Sequence, residues 1–220
     1  MNIQGTKAVI FDMDGLMYDS ERLAREGWKS VADRHGVDIP DSIIKLTMGL
    51  TCSEIRALIQ KHFDGTGARA DASELHRERN ELMLERVEKE GAPVKPGLYA
   101  LLDHLREKGL HAAVASAASP KRVEVLLRKS SLSDAFDVVV TGADASKGKP
   151  DPEIFLIAAE RLGIDSRECL VLEDSENGVL AAHAAGMPVI MIPDRMEPSD
   201  GARAAALAVL PSLENVIPLI

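Results

Sequence analysis

Short apolar runs alternate with amphipathic stretches along most of the chain, and the first run comes early. Residues 7–11 (Lys-Ala-Val-Ile-Phe) predict a buried strand that leads straight into Asp12-Met13-Asp14-Gly15. From about residue 19 to residue 91 the pattern is wholly helical. Residues 21–34 predict a helix stopped at Gly36. Thr51-Cys52-Ser53-Glu54 has the form of a capping box and opens a helix carrying Ile55, Leu58 and Ile59. A highly charged helix over residues 73–90 presents Leu75, Leu82, Met83 and Val87 as an apolar stripe before Gly91. This block reads as a separate bundle of about four helices.

From Pro93 onward, strands and helices take turns. Leu98, Leu101, Leu102 and Leu105 mark a helix ending near Gly109, and residues 110–115 predict the strand that leads to Ser116. Ser119 is placed as an N-cap ahead of Pro120 at the first helical position, with Val123, Leu126 and Leu127 inward. Further strands are predicted at 137–140, 169–172, 188–192 and 208–210, with a helix opened by Pro152 and an alanine-rich helix after Glu173-Asp174-Ser175. Such alternation indicates an α/β fold with a doubly wound parallel sheet. One strand precedes the helical block and the others follow it. The expected organisation is therefore a core of residues 1–15 and 93–220 with a helical cap, residues 16–92, inserted beyond the tip of the first strand. No repeat or low-complexity segment interrupts it.

The 220 residues are enough for a sizeable core. Against 26 Lys and Arg stand 35 Asp and Glu, a net charge of −9, which disfavours a dedicated nucleic-acid binder. An aromatic content of 3% leaves little for base stacking. No apolar run approaches the ~20 residues of a membrane span. Asp12 and Asp14 break the only apolar stretch near the N-terminus, so a secretory signal is not expected. Cys52 and Cys169 form no Cys-x-x-Cys pair, which fits a reducing cytoplasm. A monomer is the expected state, since nothing in the apolar pattern demands a partner.

Ligands of open parallel sheets bind beyond the carboxyl ends of the strands. At those ends stand Asp12 and Asp14, then Ser116, then the loop around Lys149, then Glu173 and Asp174. Each alone has a plain structural reading: Asp-Gly is a turn former, Ser116 a helix cap, residues 148–150 a solvated loop, and Glu173-Asp174 helix-terminal acid. Their joint placement at one end of one sheet changes that, because the carboxylates would repel each other without a cation. Carboxylates lacking nearby His or Cys suit Mg²⁺. No His-Glu-x-x-His zinc spacing occurs, and no Gly-x-Ser-x-Gly elbow. Residues 142–149 miss the phosphate-loop spacing by one, with Pro150 in place of Ser or Thr.

Phe11-Asp12-Met13-Asp14-Gly15, Ser116, Gly148-Lys149-Pro150-Asp151-Pro152 and Leu172-Glu173-Asp174-Ser175-Glu176-Asn177-Gly178 resemble the four motifs of the haloacid dehalogenase superfamily. The most similar branch holds phosphatases and mutases related to β-phosphoglucomutase, with a Rossmann-like core. The resemblance implies a Mg²⁺-dependent phosphatase acting on a small phosphorylated substrate such as a sugar phosphate. Asp12 would be the nucleophile, and Asp14 the acid and base. Ser116, Ala117 and Lys149 would hold the phosphoryl group, and Gly49 and Thr51 of the cap would meet the substrate. Asp12, Asp14 and Asp174 would hold the metal, with Glu173 beside them as ligand or neighbour. The inserted helices would form a lid hinged near residues 16–19 and 91–96. Arg77, Arg79 and Asn80 are expected on a solvated helix face. Two positions depart from the mutase pattern: Ala24 replaces a gating histidine, and Cys52 a phosphate-gripping arginine. Water is then the expected acceptor rather than a sugar. The intact acidic residues also weigh against a dehalogenase, which lacks the second aspartate, and against a non-catalytic phospho-ligand binder.

Overall fold

The run Ala8-Val9-Ile10-Phe11 has no exposed residue, as expected of a strand covered on both faces. The computed structural model describes every residue except 1, 2, 4, 48, 49, 51, 195 and 196, and the side chain of residue 21. The element order is β1 (Ala8–Phe11), α1 (Ser20–His35), α2 (Asp41–Leu46), α3 (Cys52–Thr66) and α4 (Ala72–Glu90). It continues with α5 (Leu98–Lys108), β2 (His111–Ala115), α6 (Pro120–Lys129), β3 (Val138–Val140), α7 (Glu153–Leu162) and β4 (Cys169–Glu173). α8 (Glu176–Ala184), β5 (Val189–Met191), α9 (Asp200–Ala205) and β6 (Ala208–Val209) complete it, followed by a 3₁₀ helix at Leu213–Leu219. The chain divides into two compact units, Met1–Asp19 with Pro93–Ile220, and Ser20–Ala92.

In the first unit the strands lie in the order β3-β2-β1-β4-β5-β6, and every neighbouring pair is parallel. Strand order reverses beside β1, the position where a crevice opens in doubly wound sheets. Phe11 is in register with Val114 on one side and Leu172 on the other. The residue after β1 therefore emerges between the ends of β2 and β4. One face of the sheet packs Ile10, Ala113, Val140 and Val171 against Phe155, Ala158, Val179 and Ala182 of α7 and α8. The chain leaves this unit at Asp19 and returns at Pro93, and the Asp19 N–H donates to the Pro93 carbonyl at 2.9 Å.

The helical unit has its own core of Trp28, Val31, Ile44, Ile59, Phe63, Ala72 and Leu75. Here one expectation is corrected. Arg77 is exposed and pairs with Glu81 at 2.7 Å, and Asn80 is exposed, but Arg79 is buried with its guanidinium 5.4 Å from the Trp28 ring centroid. The buried positions of α4 are 72, 75, 76, 79, 83 and 87, so Arg79 belongs to the inward stripe. A cation over an indole face is tolerated there. Ser119 occupies the N-cap of α6 ahead of Pro120, as expected, and its side chain makes no capping hydrogen bond. The α9 helix and the terminal 3₁₀ helix had no periodic signal, being too short to reveal one. Among the described residues no helix is long and apolar enough to cross a membrane.

Candidate active site

Asp12 is the first residue beyond β1, and its N–H still donates to the Leu172 carbonyl at 3.0 Å, so the backbone is fixed up to the side chain. The turn that follows closes through Gly15, whose φ of +87° disfavours any L side chain. A Cβ there would also fall 2.1 Å from Asp174 Oδ2. Gly15 thus gives the Asp174 carboxylate its place against the turn that carries Asp12 and Asp14.

Lys149 reaches the same point from the loop after β3. Its Nζ donates to Asp12 Oδ1, to Glu173 Oε1 at 2.7 Å and to the Ala115 carbonyl at 3.3 Å, using all three of its donors. The ammonium lies 4.7 Å over the Phe155 ring. Burial pulls Lys149 down, but Asp12 and Glu173 outweigh it and hold the ammonium above the ordinary lysine value. Burial pushes the Asp12 carboxyl up to about 7; Lys149 pulls it the other way, and Glu173 and Asp14 add to the rise. A buried carboxylate in such company calls for more positive charge than one lysine provides.

Glu173 closes β4 and is 1% exposed. Besides Lys149 it accepts from the Ser175 N–H at 2.8 Å and the Ser175 hydroxyl at 2.9 Å. Ser175 is at once the N-cap of α8, its oxygen accepting from the Gly178 N–H at 3.1 Å. Glu173 is therefore committed to Lys149 and Ser175 in this structure. The end of β4 turns residue 173 toward Lys149 and leaves Asp174 beside Gly15. Among the described residues no three His, Cys, Asp or Glu side chains gather into a metal-binding group. At the tip of β1 stand the Asp12 carboxylate and, against Gly15, the Asp174 carboxylate. Such a set fits Mg²⁺, which takes one or two carboxylates and fills its shell with water and phosphate oxygens.

Ser116 continues β2 by donating its N–H to the Val140 carbonyl at 3.0 Å, and it is 1% exposed. Its hydroxyl oxygen accepts from the Ala118 N–H at 3.1 Å, which leaves the hydroxyl proton to donate elsewhere. The loop of residues 116–118 presses on Gly142, where a Cβ would fall 2.4 Å from the Ala117 carbonyl oxygen. Asp14 has a partner that sequence reasoning missed: Arg122 of α6 donates from Nη2 to its Oδ1 at 2.6 Å. A single arginine among the charges of α6 gave no signal. The structure thus brings Asp12, Lys149 and Glu173 into direct contact, sets Asp174 against Gly15, and places Ser116 at the neighbouring strand end. Gly49 and Thr51 lie outside the described residues.

Comparison with known proteins agrees with this arrangement. Residues 6–186 match the family described as haloacid dehalogenase-like hydrolase. The phosphorylated carbohydrates phosphatase of Thermotoga maritima is 33% identical over 181 residues, 82% of each chain. Hexitol phosphatase A of Escherichia coli strain K12 is 34% identical over 212 residues, 96% of this chain and 93% of that one. The crystal structure of CbbY from Rhodobacter sphaeroides in complex with phosphate superposes with a TM-score of 0.80 at 26% identity, over 96% of both chains. With a parallel sheet of this order, an aspartate pair at the tip of its central strand, and relatives of this kind over nearly its whole length, the chain belongs to the haloacid dehalogenase-like hydrolases.

Proposed function

We propose that this hydrolase is a Mg²⁺-dependent phosphatase that releases phosphate from a small phosphomonoester, a sugar phosphate or similar metabolite, through an aspartyl-phosphate on Asp12. The observation that carries the reading is the buried contact of Lys149 with both Asp12 and Glu173 at the tip of β1. A lysine fixed there neutralises the nucleophile and would meet an incoming phosphoryl group. The phosphatase relatives support the same chemistry.

In the first step an Asp12 carboxylate oxygen attacks phosphorus while the bond to the leaving oxygen breaks. Asp14 gives that oxygen its proton. Ser116 donates its hydroxyl proton to a phosphoryl oxygen, and Lys149 balances the charge of carboxylate and phosphoryl group together. In the second step water attacks the aspartyl-phosphate, Asp14 takes its proton, and Asp12 is released with inorganic phosphate. Asp12, Asp174 and the Asp14 carbonyl would hold Mg²⁺, which when bound supplies the second positive charge that a buried carboxylate facing a phosphate requires. Glu173 stands outside that set, orienting Lys149. Transfer to a sugar hydroxyl is the weaker reading, because Ala24 and Cys52 leave no histidine or arginine at the two cap positions that such mutases use.

Phosphate release from a panel of phosphorylated metabolites, with Mg²⁺ and with chelator, tests the reading beside Asp12→Asn. The expected result is metal-dependent turnover that falls by at least about 1,000-fold in the variant. Turnover that survives in Asp12→Asn would overturn the aspartyl-phosphate mechanism.

A further inference from the structure

Arg122 sits in the first turns of α6, a helix anchored by the buried Val123, Val125, Leu126 and Leu127. Its guanidinium points back across the site end of the sheet to Asp14 Oδ1, and the two side chains are 24% and 33% exposed. The Nε of the same guanidinium is buried and has no hydrogen-bond partner. An ion pair this open to water stabilises a fold little, whereas an unsatisfied buried donor costs more than such a pair returns. Stability does not account for an arginine here.

Geometry does. Asp14 stands in the turn after β1, where a carboxylate without a partner would rotate among several orientations. Arg122 engages one oxygen and leaves the other, Oδ2, as the one to be presented. The loop and helix that carry Ser116 also carry Arg122, so one rigid segment reaches both the phosphoryl position and the acid/base group.

We propose that Arg122 is a positioning residue that holds Asp14 through Oδ1 so that Oδ2 delivers a proton to the leaving oxygen and then receives one from the attacking water. The proposal rests on the function proposed above. It adds no reactant to that balance: the proton lost by Oδ2 as the ester bond breaks is regained when water adds to phosphorus and the bond to Asp12 is cleaved. Arg122 itself exchanges no proton and touches no substrate atom.

The test compares Arg122→Gln, Arg122→Lys, Asp14→Asn and the Arg122→Gln, Asp14→Asn double variant on glycerol phosphate and on p-nitrophenyl phosphate, with thermal melting run on each. Glycerol is a poor leaving group and needs the proton; p-nitrophenolate does not. Arg122→Gln is expected to lower kcat on glycerol phosphate by about 10- to 100-fold with KM little changed. On p-nitrophenyl phosphate the first burst of p-nitrophenolate should persist while steady turnover, which needs Asp14 as base, declines. Arg122→Lys restores the charge without the orphaned Nε and should recover part of kcat. In the Asp14→Asn background Arg122→Gln should cost nothing further, because its effect passes through Asp14. Losses that multiply in the double variant, a change confined to KM, or wild-type kcat in Arg122→Gln would each overturn the proposal. If Asp12→Asn itself remained active, the site reading would fail instead, and the two failures are told apart by that control.

Discussion

A histidine on the inner side of a helix must either find a partner for its charge or stay neutral, and at His76 burial decides for the neutral form. Its ring is 5% exposed and stacks near Trp28, with centroids 6.0 Å apart. Burial lowers its pKa to about 4, and the positive charges of Arg79 and Arg56 push in the same direction. The unfolded histidine titrates near 6.5. Between these values the unfolded chain binds a proton that the folded one refuses, so stability falls as pH drops below about 6.5 and levels off below about 4. The loss should be on the order of 2 kcal/mol, less than the full shift implies because neighbouring water screens part of it. Urea unfolding followed from pH 7 to pH 4 should show this slope in the native protein and a shallower one in His76→Gln. Equal slopes would mean that other groups carry the acid sensitivity.

At the scale of the element, the end of β4 and the start of α8 work as one device. Gly178 lies in the first turn of α8, and a Cβ there would come 1.7 Å from Glu173 Oε1. Alanine favours a helix over glycine by about 1 kcal/mol. Here the added methyl would displace a carboxylate held by Lys149 and by both donors of Ser175, and overpacking of that kind costs about 1–3 kcal/mol. Gly178→Ala should therefore lower the urea midpoint, and turnover should decline with it because Lys149 loses its guide. A raised midpoint would mean that Glu173 moves aside freely and that helix propensity decides. The same region shows what sequence could and could not reveal. Strand ends were legible from apolar runs, so the positions of Asp12, Ser116, Glu173 and Asp174 followed from where β1, β2 and β4 stop. That Glu173 meets Lys149 while Asp174 lies against Gly15 was not legible, because it depends on which way a strand's last side chain faces. Arg79 and Arg122 were hidden for a related reason. On charged helices every arginine reads as solvated, and only the packed Trp28 or the turn at Asp14 distinguishes the inward ones.

On the scale of the whole molecule, the chain solves an insertion problem. Seventy-odd residues leave the sheet unit after one strand, and the departing segment is buried in the folded chain: Leu16, Met17 and Tyr18 are at most 1% exposed. Two backbone hydrogen bonds tie the departing and returning segments together, Asp19 to Pro93 and Lys95 to Met17, both at 2.9 Å, and together they make the antiparallel bridge of Tyr18 with Val94. The Tyr18 hydroxyl adds a hydrogen bond to Ser130 Oγ at 2.7 Å, fastening the crossing to α6. Because the ends of the break already lie side by side, closing it with a short linker costs little loop entropy. The helical unit likewise has a separate core around Trp28 and Phe63. A variant in which two glycines join Asp19 to Pro93 should therefore retain the circular dichroism of a parallel α/β sheet and unfold in one cooperative transition. The apolar cluster that joins Ile10 and Val171 of the sheet to Phe155 and Val179 lies wholly within the sheet unit and is retained. A variant that aggregated, or melted without a sigmoidal transition, would show that the sheet unit borrows its stability from the inserted helices.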